Sequence, residues 1–317
     1  MHVICRSNGI EIWTPDDSPI SFFNSPYIGH QRASAVDVYT PQGEWGEEVL
    51  SPTDGVVVRL TEITMGHKDL FDGNDYDHAI GIRPDSDPES IVRILHCRPC
   101  VQEGDRVDVG DCLGNTLRSR FFSFWTSPHY HVEAMHQSDY RRSSRSYPLN
   151  VPPHRLTVIR SSARTNDEML LEVVSSGQDY VLAASDDFVV SAGPFVGHPA
   201  VDSTGRLVGI IDAGLPHYPV CGAYGLQESV SIAMRFCGTF PLGRLVCCRA
   251  GLSSFSTEPC EFRLDNIRIH GVSTYIYPNS LIRQNRVPLK LIPPISGVLA
   301  DAFSEGDVVT LSWTAHE

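Results

Sequence analysis

Short runs of β-branched residues dominate the hydrophobic pattern of this chain. Residues 55–58, 80–82, 91–95 and 208–211 are rich in Val and Ile, and turn residues bound these runs. Runs of this length and composition are typical of strands. Few windows show the 3.6-residue apolar period of an amphipathic helix, and Gly and Pro interrupt the chain throughout. The pattern therefore predicts a mostly β protein.

The length and a change in composition predict two domains. A chain of 317 residues exceeds the usual size of one domain, which is about 100–200 residues. Residues 137–146 are polar, and Pro148, Pro152 and Pro153 follow, a composition that suits a linker or a surface connection. We therefore expect a first domain over residues 1–147 and a second β-rich domain of unassigned role over residues 148–317.

The charge and the cysteine count limit the classes of partner. With 25 basic and 38 acidic residues the net charge is −13, which disfavours binding to nucleic acid or to an anionic membrane. The sequence contains no run of about 18 apolar residues, the length that predicts a transmembrane helix. The N-terminus lacks a secretory signal, and nine cysteines, an odd number, favour a reducing compartment. We expect a cytoplasmic protein, with export left open, and the sequence carries no signal of an oligomeric state.

The residues with candidate chemistry lie in the first half of the chain. Asp37 lies in an apolar segment and His30 precedes it, while His96 ends an apolar run. His129 and His131 are two residues apart, so both side chains project from one face of a strand. Histidine and carboxylate are zinc ligands, and a catalytic zinc takes three of them and leaves one position for water. A further neutral histidine takes up a proton from that water or stabilises the developing oxyanion.

Four motifs occur in a characteristic order. Residues 52–57 read Pro-Thr-Asp-Gly-Val-Val, an apolar strand ends in Leu95-His96, residues 101–114 contain two Gly-Asp turns, and residues 129–133 read His-Tyr-His-Val-Glu. With Asp37, this order resembles the lysostaphin-type zinc metallopeptidases, which cut peptide cross-links in cell walls. The resemblance covers about residues 25–136 and implies a duplicated-hybrid-motif-like β-sheet or barrel for the first domain.

The resemblance also implies roles for the matching residues. Asp37 and His131 would be zinc ligands, His129 the general base and His96 the group that stabilises the transition state. In the family the remaining ligand is a histidine four positions before the aspartate, where this chain has Ala33. The nearest histidine is His30, which completes the expected set of ligands.

Two functions follow as hypotheses from these residues. The first is a zinc-dependent hydrolase that cleaves a peptide or amide bond in a peptide or peptidoglycan-like substrate. The second is a non-catalytic relative that binds a peptide or protein partner, which the displaced His30 favours. A lipoyl- or biotinyl-type carrier would need a lysine at the hairpin turn, and no lysine lies between Lys68 and Lys290.

One further motif has weak support as a functional site. Cys97 and Cys100 form a CxxC sequence. A structural zinc site needs a second such pair, and a thioredoxin-like redox site needs a βαβ setting. The sequence supplies neither, so we expect no function for this motif.

Overall fold

A computed structural model describes residues 1–65, 71–160, 168–185, 189–202, 206–225, 234–236, 240–241, 243–249, 251–282 and 286–315. The chain divides into two compact units. The first unit contains Met1–Phe22 and Ile28–Val151, and the second contains Phe23–Tyr27 and Pro152–Glu317. Antiparallel strands make up most of both units, which confirms the predicted mostly β class.

The first unit contains thirteen described strands and one short helix. Its elements are β1 (His2–Ser7), β2 (Ile10–Thr14), β3 (Ile20–Ser21), α1 (Ile28–Gln31), β4 (Ala35–Tyr39), β5 (Glu48–Leu50), β6 (Gly55–Thr64), β7 (Tyr76–Pro84), β8 (Ser90–Leu95), β9 (Cys97–Pro99), β10 (Arg106–Val107), β11 (Cys112–Thr116), β12 (His129–His136) and β13 (Leu149–Asn150), with 3-10 turns at Gln137–Asp139 and Ser143–Arg145. The strand orders in its three sheets are β13-β1-β2, β10-β6-β7-β8-β12-β4-β3 and β5-β11-β9.

The seven-stranded sheet places β12 between β8 and β4. Val36 and Val38 on β4, Ile94 on β8 and Val132 on β12 are fully buried. β-Branched side chains pack well on a pleated surface, and their burial contributes about 1.5–3 kcal/mol each. The centre of this sheet is therefore a closely packed scaffold for functional side chains.

The polar stretch after β12 packs on the first unit. The Tyr140 ring is buried beside Ala79, Ile91 and Met135, and its hydroxyl donates to the Ala79 carbonyl at 3.2 Å. Leu149 then pairs with β1. The stretch that composition assigned to a linker or surface connection is therefore part of the unit's surface, because one aromatic side chain anchors it.

The second unit is also built from antiparallel strands in the residues that the structure describes. Its elements are β14 (Leu156–Arg160), β15 (Glu168–Ser176), β16 (Val181–Ser185), β17 (Val189–Ala192), β18 (Phe195–Gly197), β19 (Pro199–Asp202), β20 (Leu207–Leu215), β21 (Val220–Tyr224), β22 (Met234–Phe236), β23 (Phe240–Pro241), β24 (Leu245–Arg249), β25 (Leu252–Ser256), β26 (Cys260–Leu264), β27 (Ile267–Ile269), β28 (Gly271–Thr274), β29 (Tyr277–Pro278), β30 (Val287–Ile292), α2 (Val298–Ala302) and β31 (Val308–Ala315), with a 3-10 turn at Asn279–Leu281.

Alternating apolar side chains from these strands form the core of the second unit. Leu289 and Leu291 on β30 and Val309 and Leu311 on β31 are buried in one cluster. Two-residue spacing puts each pair on the same face of its strand. Neither of the two helices among the described residues is long and apolar enough to cross a membrane.

Candidate metal centre

Two neighbouring strands bring Asp37 and His131 together. The two residues are direct partners in the antiparallel ladder between β4 and β12. Alternation along β12 puts His129, His131 and Glu133 on one face of the sheet, while Val132 projects to the other face and is fully buried. The ladder register therefore fixes the position of both side chains of the candidate centre.

A tight turn brings His30 to the same place. His30 lies in α1, and Ala33 follows in a left-handed conformation with φ 52°. The Ala33 amide donates to the His30 carbonyl at 3.0 Å, and the Ser34 amide donates to the Gly29 carbonyl at 2.8 Å. The chain thus turns sharply before β4, so the histidine seven positions before Asp37 contacts it. His30 Nε2 lies 3.1 Å from Asp37 Oδ1.

Three ligand atoms form a nearly equilateral triangle. His131 Nδ1 lies 2.9 Å from Asp37 Oδ1 and 3.0 Å from His30 Nε2, and the third edge measures 3.1 Å. Zinc bonds of about 2.0–2.1 Å in a tetrahedral site place ligand atoms about 3.3 Å apart. Elsewhere in the described ranges, no three His, Cys, Asp or Glu side chains bring ligand atoms within 4.8 Å of one another. The donor set fits a small divalent cation.

Hydrogen bonds select the nitrogen that each ligand histidine presents. His30 Nδ1 donates to the Phe22 carbonyl at 2.9 Å, so Nε2 carries the lone pair that faces the triangle. His131 Nε2 lies 3.4 Å from Glu133 Oε1, which orients its Nδ1 toward the same point. A carbonyl or carboxylate behind the ligand ring is the usual arrangement in metal sites, because it fixes the tautomer and raises the basicity of the ring.

Glu133 is the anchor behind His131. Its side chain is fully buried, and Arg93 donates to it from Nε at 3.1 Å and from Nη2. The hydroxyls of Ser143 and Ser146 also donate to its two oxygens. Burial raises the pKa of Glu133, but the hydrogen bond and charge of His131 and the charge of Arg93 hold it well below its ordinary value. Glu133 is therefore ionised at the base of the site.

The negative charge of Asp37 is partly neutralised by a proton on His131. Burial raises the pKa of Asp37, but the surrounding histidines hold it well below its usual range. Burial lowers the pKa of His131, but its hydrogen bonds to the Asp37 and Glu133 carboxylates outweigh this and raise it to about 9. A proton on His131 thus neutralises part of the carboxylate charge, and a bound cation would displace that proton, as metal binding to histidine does generally.

His129 lies beside the triangle as a neutral base. Its Nδ1 donates to the Ser127 carbonyl at 2.8 Å, which leaves Nε2 3.7 Å from Asp37 Oδ2. Burial lowers the pKa of His129 to about 4. The ring is therefore neutral near pH 7 and can accept a proton at Nε2.

His96 lies beside His129, and Asp77 orients it. The two imidazole rings have their centroids 5.2 Å apart. His96 Nδ1 lies 2.5 Å from Asp77 Oδ2, which also accepts from the Ser119 hydroxyl at 3.2 Å, while the His78 amide donates to the other oxygen at 2.7 Å. Burial raises the pKa of Asp77, but the charge and hydrogen bond of His96 hold it below its ordinary value. The ionised carboxylate leaves His96 Nε2 as the nitrogen available for chemistry.

Aromatic side chains cover the two histidines. The half-buried Phe122 ring lies 4.5 Å from His96 and 5.1 Å from His129, centroid to centroid, and stacks on Trp45 at 5.4 Å. His96 and His129 are only 3% and 5% exposed. Phe122 therefore packs against both imidazoles and contributes to their burial.

The structure brings the residues selected from the sequence into one region of the first unit: His30, Asp37, His96, His129 and His131. Sequence analysis assigned no role to three neighbours, Asp77, Glu133 and Phe122. Two of them carried a signal, because Asp77 directly precedes an apolar segment and Glu133 continues the alternation of His129 and His131. Phe122 carried none, since its role depends on the path of a loop.

Comparisons with known proteins give limited similarity. Residues 14–151 match a family described as a domain of unknown function (DUF8155), N-terminal domain. No curated protein matches the chain. The solution structure of lysostaphin is 13% identical with a TM-score of 0.28, and a structure of the antimicrobial peptidase lysostaphin from Staphylococcus simulans is 15% identical with a TM-score of 0.30. Each similarity covers 61% of this chain and 86% of the other.

Proposed function

We propose that the first unit is a zinc-dependent hydrolase that cleaves a peptide or amide bond with a metal-activated water. The observation that carries the proposal is the triangle of His30 Nε2, Asp37 Oδ1 and His131 Nδ1, with edges of 2.9–3.1 Å. Three protein ligands of this type would hold zinc and leave a position open for water. When bound, zinc lowers the pKa of that water and polarises the substrate carbonyl.

The remaining histidines divide the proton chemistry between them. His129 is neutral and presents Nε2 toward Asp37, so it accepts the proton of the attacking water. His96, whose Nδ1–H is held by the Asp77 carboxylate, would in its imidazolium form donate a hydrogen bond from Nε2 to the oxyanion that develops on the substrate carbonyl. A donor of this kind contributes about 3–4 kcal/mol to a transition state in an enclosed site.

The substrate that we propose is a peptide or a peptidoglycan-like polymer. The sequence resemblance implies this class, and attack of water on an amide carbonyl needs both groups that lie beside the triangle. A general base accepts the proton and a hydrogen-bond donor stabilises the oxyanion. The burial of these groups keeps bulk water away from the reacting atoms and strengthens their electrostatic effect.

A cleavage assay tests the proposal, with the full chain reconstituted with zinc and with peptides and purified peptidoglycan as substrates. Mass spectrometry of the products identifies any bond that is cleaved. We expect cleavage with zinc, none after removal of the metal by a chelator, and cleavage slower by about 10²–10⁴-fold in His129→Ala. Cleavage that survives chelation, or iron in place of zinc in the purified protein, would contradict the proposal.

The enclosure of the site favours a second candidate function. Phe122 covers His96 and His129, so a substrate must displace this ring or pass beside it. A protein that binds a peptide partner, with the metal in a structural role, is consistent with such a closed centre. In that case Phe122→Ala would leave the zinc-loaded protein inactive on every substrate, whereas a hydrolase would gain turnover from the opening.

A further inference from the structure

Three cysteines of the first unit meet at the sheet formed by β5, β11 and β9. Cys97 begins β9, Cys100 follows its end, and Cys112 begins β11. β9 and β11 are antiparallel partners, and the Cys100 amide donates to the Leu113 carbonyl at 2.9 Å. Cys100 and Cys112 are therefore diagonal neighbours on adjacent strands.

The Sγ atoms of Cys100 and Cys112 lie 4.0 Å apart. This distance is a contact between two thiols, and a disulfide needs about 2.05 Å, which rotation of the side chains can supply between cross-strand neighbours. Cys100 is exposed and Cys112 is partly exposed, so a small oxidant reaches the pair from solvent.

Cys97 is separated from this chemistry although it completes the CxxC motif with Cys100. Its side chain is fully buried, and burial raises the pKa of its thiol. Gly114 packs on it so closely that a Cβ at position 114 would lie 3.0 Å from the Cys97 sulfur. A thiol enclosed in this way does not meet an oxidant from solvent, whereas the Cys100 and Cys112 thiols do, because susceptibility to oxidation follows exposure.

We propose that Cys100 and Cys112 form a reversible disulfide under peroxide stress, and that the CxxC motif does not form one. One hydrogen peroxide oxidises the Cys100 thiol to a sulfenic acid and is reduced to water. The Cys112 sulfur then attacks the Cys100 sulfur, the Cys100 S–O bond breaks, and the oxygen leaves with both protons as a second water. Two thiols and one peroxide thus give one disulfide and two waters. A dithiol reductant reverses the change.

The cross-link would covalently join the strand pair whose first strand directly follows His96 in the chain. His96 directly precedes β9, and its carbonyl accepts from the Leu117 amide at 2.9 Å, just beyond the end of β11. The disulfide lies at the other end of the same short ladder. The proposal does not rest on the proposed hydrolase, because it concerns only the two thiols and the strands that hold them.

Peptide mapping of the full-length protein after treatment with hydrogen peroxide tests the proposal. We expect a mass loss of two hydrogens in a cross-linked pair of peptides that contain Cys100 and Cys112, and recovery of both thiols after reduction. The cross-link should also form in Cys97→Ser, at a rate within about twofold of the wild type, and should be absent in Cys112→Ser. Circular dichroism of each variant verifies that it is folded.

The wild-type map decides the question even if a variant fails to fold. A cross-link between Cys97 and Cys100, or loss of the cross-link in folded Cys97→Ser, would overturn the proposal. So would free Cys100 and Cys112 thiols after peroxide treatment that oxidises the exposed Cys248 of the second unit. That thiol serves as an internal control for the oxidant.

Discussion

Asp37 and His131 face each other as direct partners in the ladder between β4 and β12, and their ligand atoms lie 2.9 Å apart. A pair fixed by backbone hydrogen bonds on both sides has little freedom to separate. His30 then closes a triangle around one point. The site is therefore preorganised by the sheet, and the metal would not have to assemble its own ligands.

Loss of the proposed base should separate metal binding from turnover. His129→Ala removes the neutral imidazole beside the triangle but none of its three corners. We expect unchanged metal content and a kcat that falls by about 10²–10⁴-fold, the usual contribution of a positioned general base. The matched control is His136→Ala, which removes an exposed histidine from the same strand. If His129→Ala hydrolyses substrate at the wild-type rate, His129 is not the base.

Asp77 is a positioning residue for His96. Asp77→Asn keeps the size of the side chain but removes the charge that holds His96 Nδ1–H. We expect kcat to fall by more than about tenfold while KM and metal content stay unchanged, since loss of the negative charge disfavours the imidazolium that donates to the oxyanion, and this hydrogen bond is made only in the transition state. Ser119→Ala removes a neutral hydrogen bond to the same carboxylate and serves as the control. A parallel loss of melting temperature and metal in Asp77→Asn would indicate a structural role instead.

The positions of the site histidines on β12 could be predicted from the sequence, whereas that of His30, which a turn places, could not. The two-residue spacing of His129 and His131 is sufficient to place both on one face, because alternation is a property of every strand. The approach of His30 depends on the left-handed turn at Ala33, which spacing in the sequence does not reveal. The mostly β class was predictable because it depends on local composition, here the runs of β-branched residues.

Long-range partners explain most of what the sequence does not reveal. Asp77 contacts His96 across the β7–β8 hairpin, and only the register of that hairpin brings them together. Phe23–Tyr27 belongs to the second unit, where the Phe23 amide donates to Asp212 at 3.0 Å across 189 positions of the chain. No periodicity or composition signals such a pairing.

The Arg93–Glu133 pair should contribute strongly to folding. Both side chains are buried, so Glu133→Gln leaves the Arg93 guanidinium without its counter-charge. Breaking a buried pair by removal of one partner typically costs about 3–5 kcal/mol, and we expect the free energy of unfolding in urea to fall by this order. The control, Glu11→Gln, breaks the exposed pair with Arg6 and should cause little change. Similar effects of the two substitutions would refute the assignment of Glu133 as the anchor.

A buried histidine predicts acid sensitivity of the second unit. Burial, together with the smaller effects of the charges of His270 and Lys290, lowers the pKa of His217 to about 3. The unfolded chain binds the proton with a pKa of about 6.5, so the stabilisation is complete above this value and is lost as the pH falls toward 3. The slope approaches about 1.4 kcal/mol per pH unit within that window.

Unfolding measurements between pH 7 and 4 check this effect as a difference between two proteins. His217→Gln cannot take up the proton, so its stability should depend less steeply on pH than that of the wild type. The difference removes the contribution of carboxylates, which both proteins share. Identical pH slopes would show that His217 is not the group that responds.

Elemental analysis of untagged protein tests the central claim most directly. After incubation with zinc and dialysis, we expect about one zinc per chain in the wild type and in His136→Ala, and a clear loss in His30→Ala, because three protein ligands define a site of this class. Circular dichroism of His30→Ala verifies that loss of metal is not loss of fold. Absence of zinc from the wild type, or full zinc content in folded His30→Ala, would contradict the proposed centre.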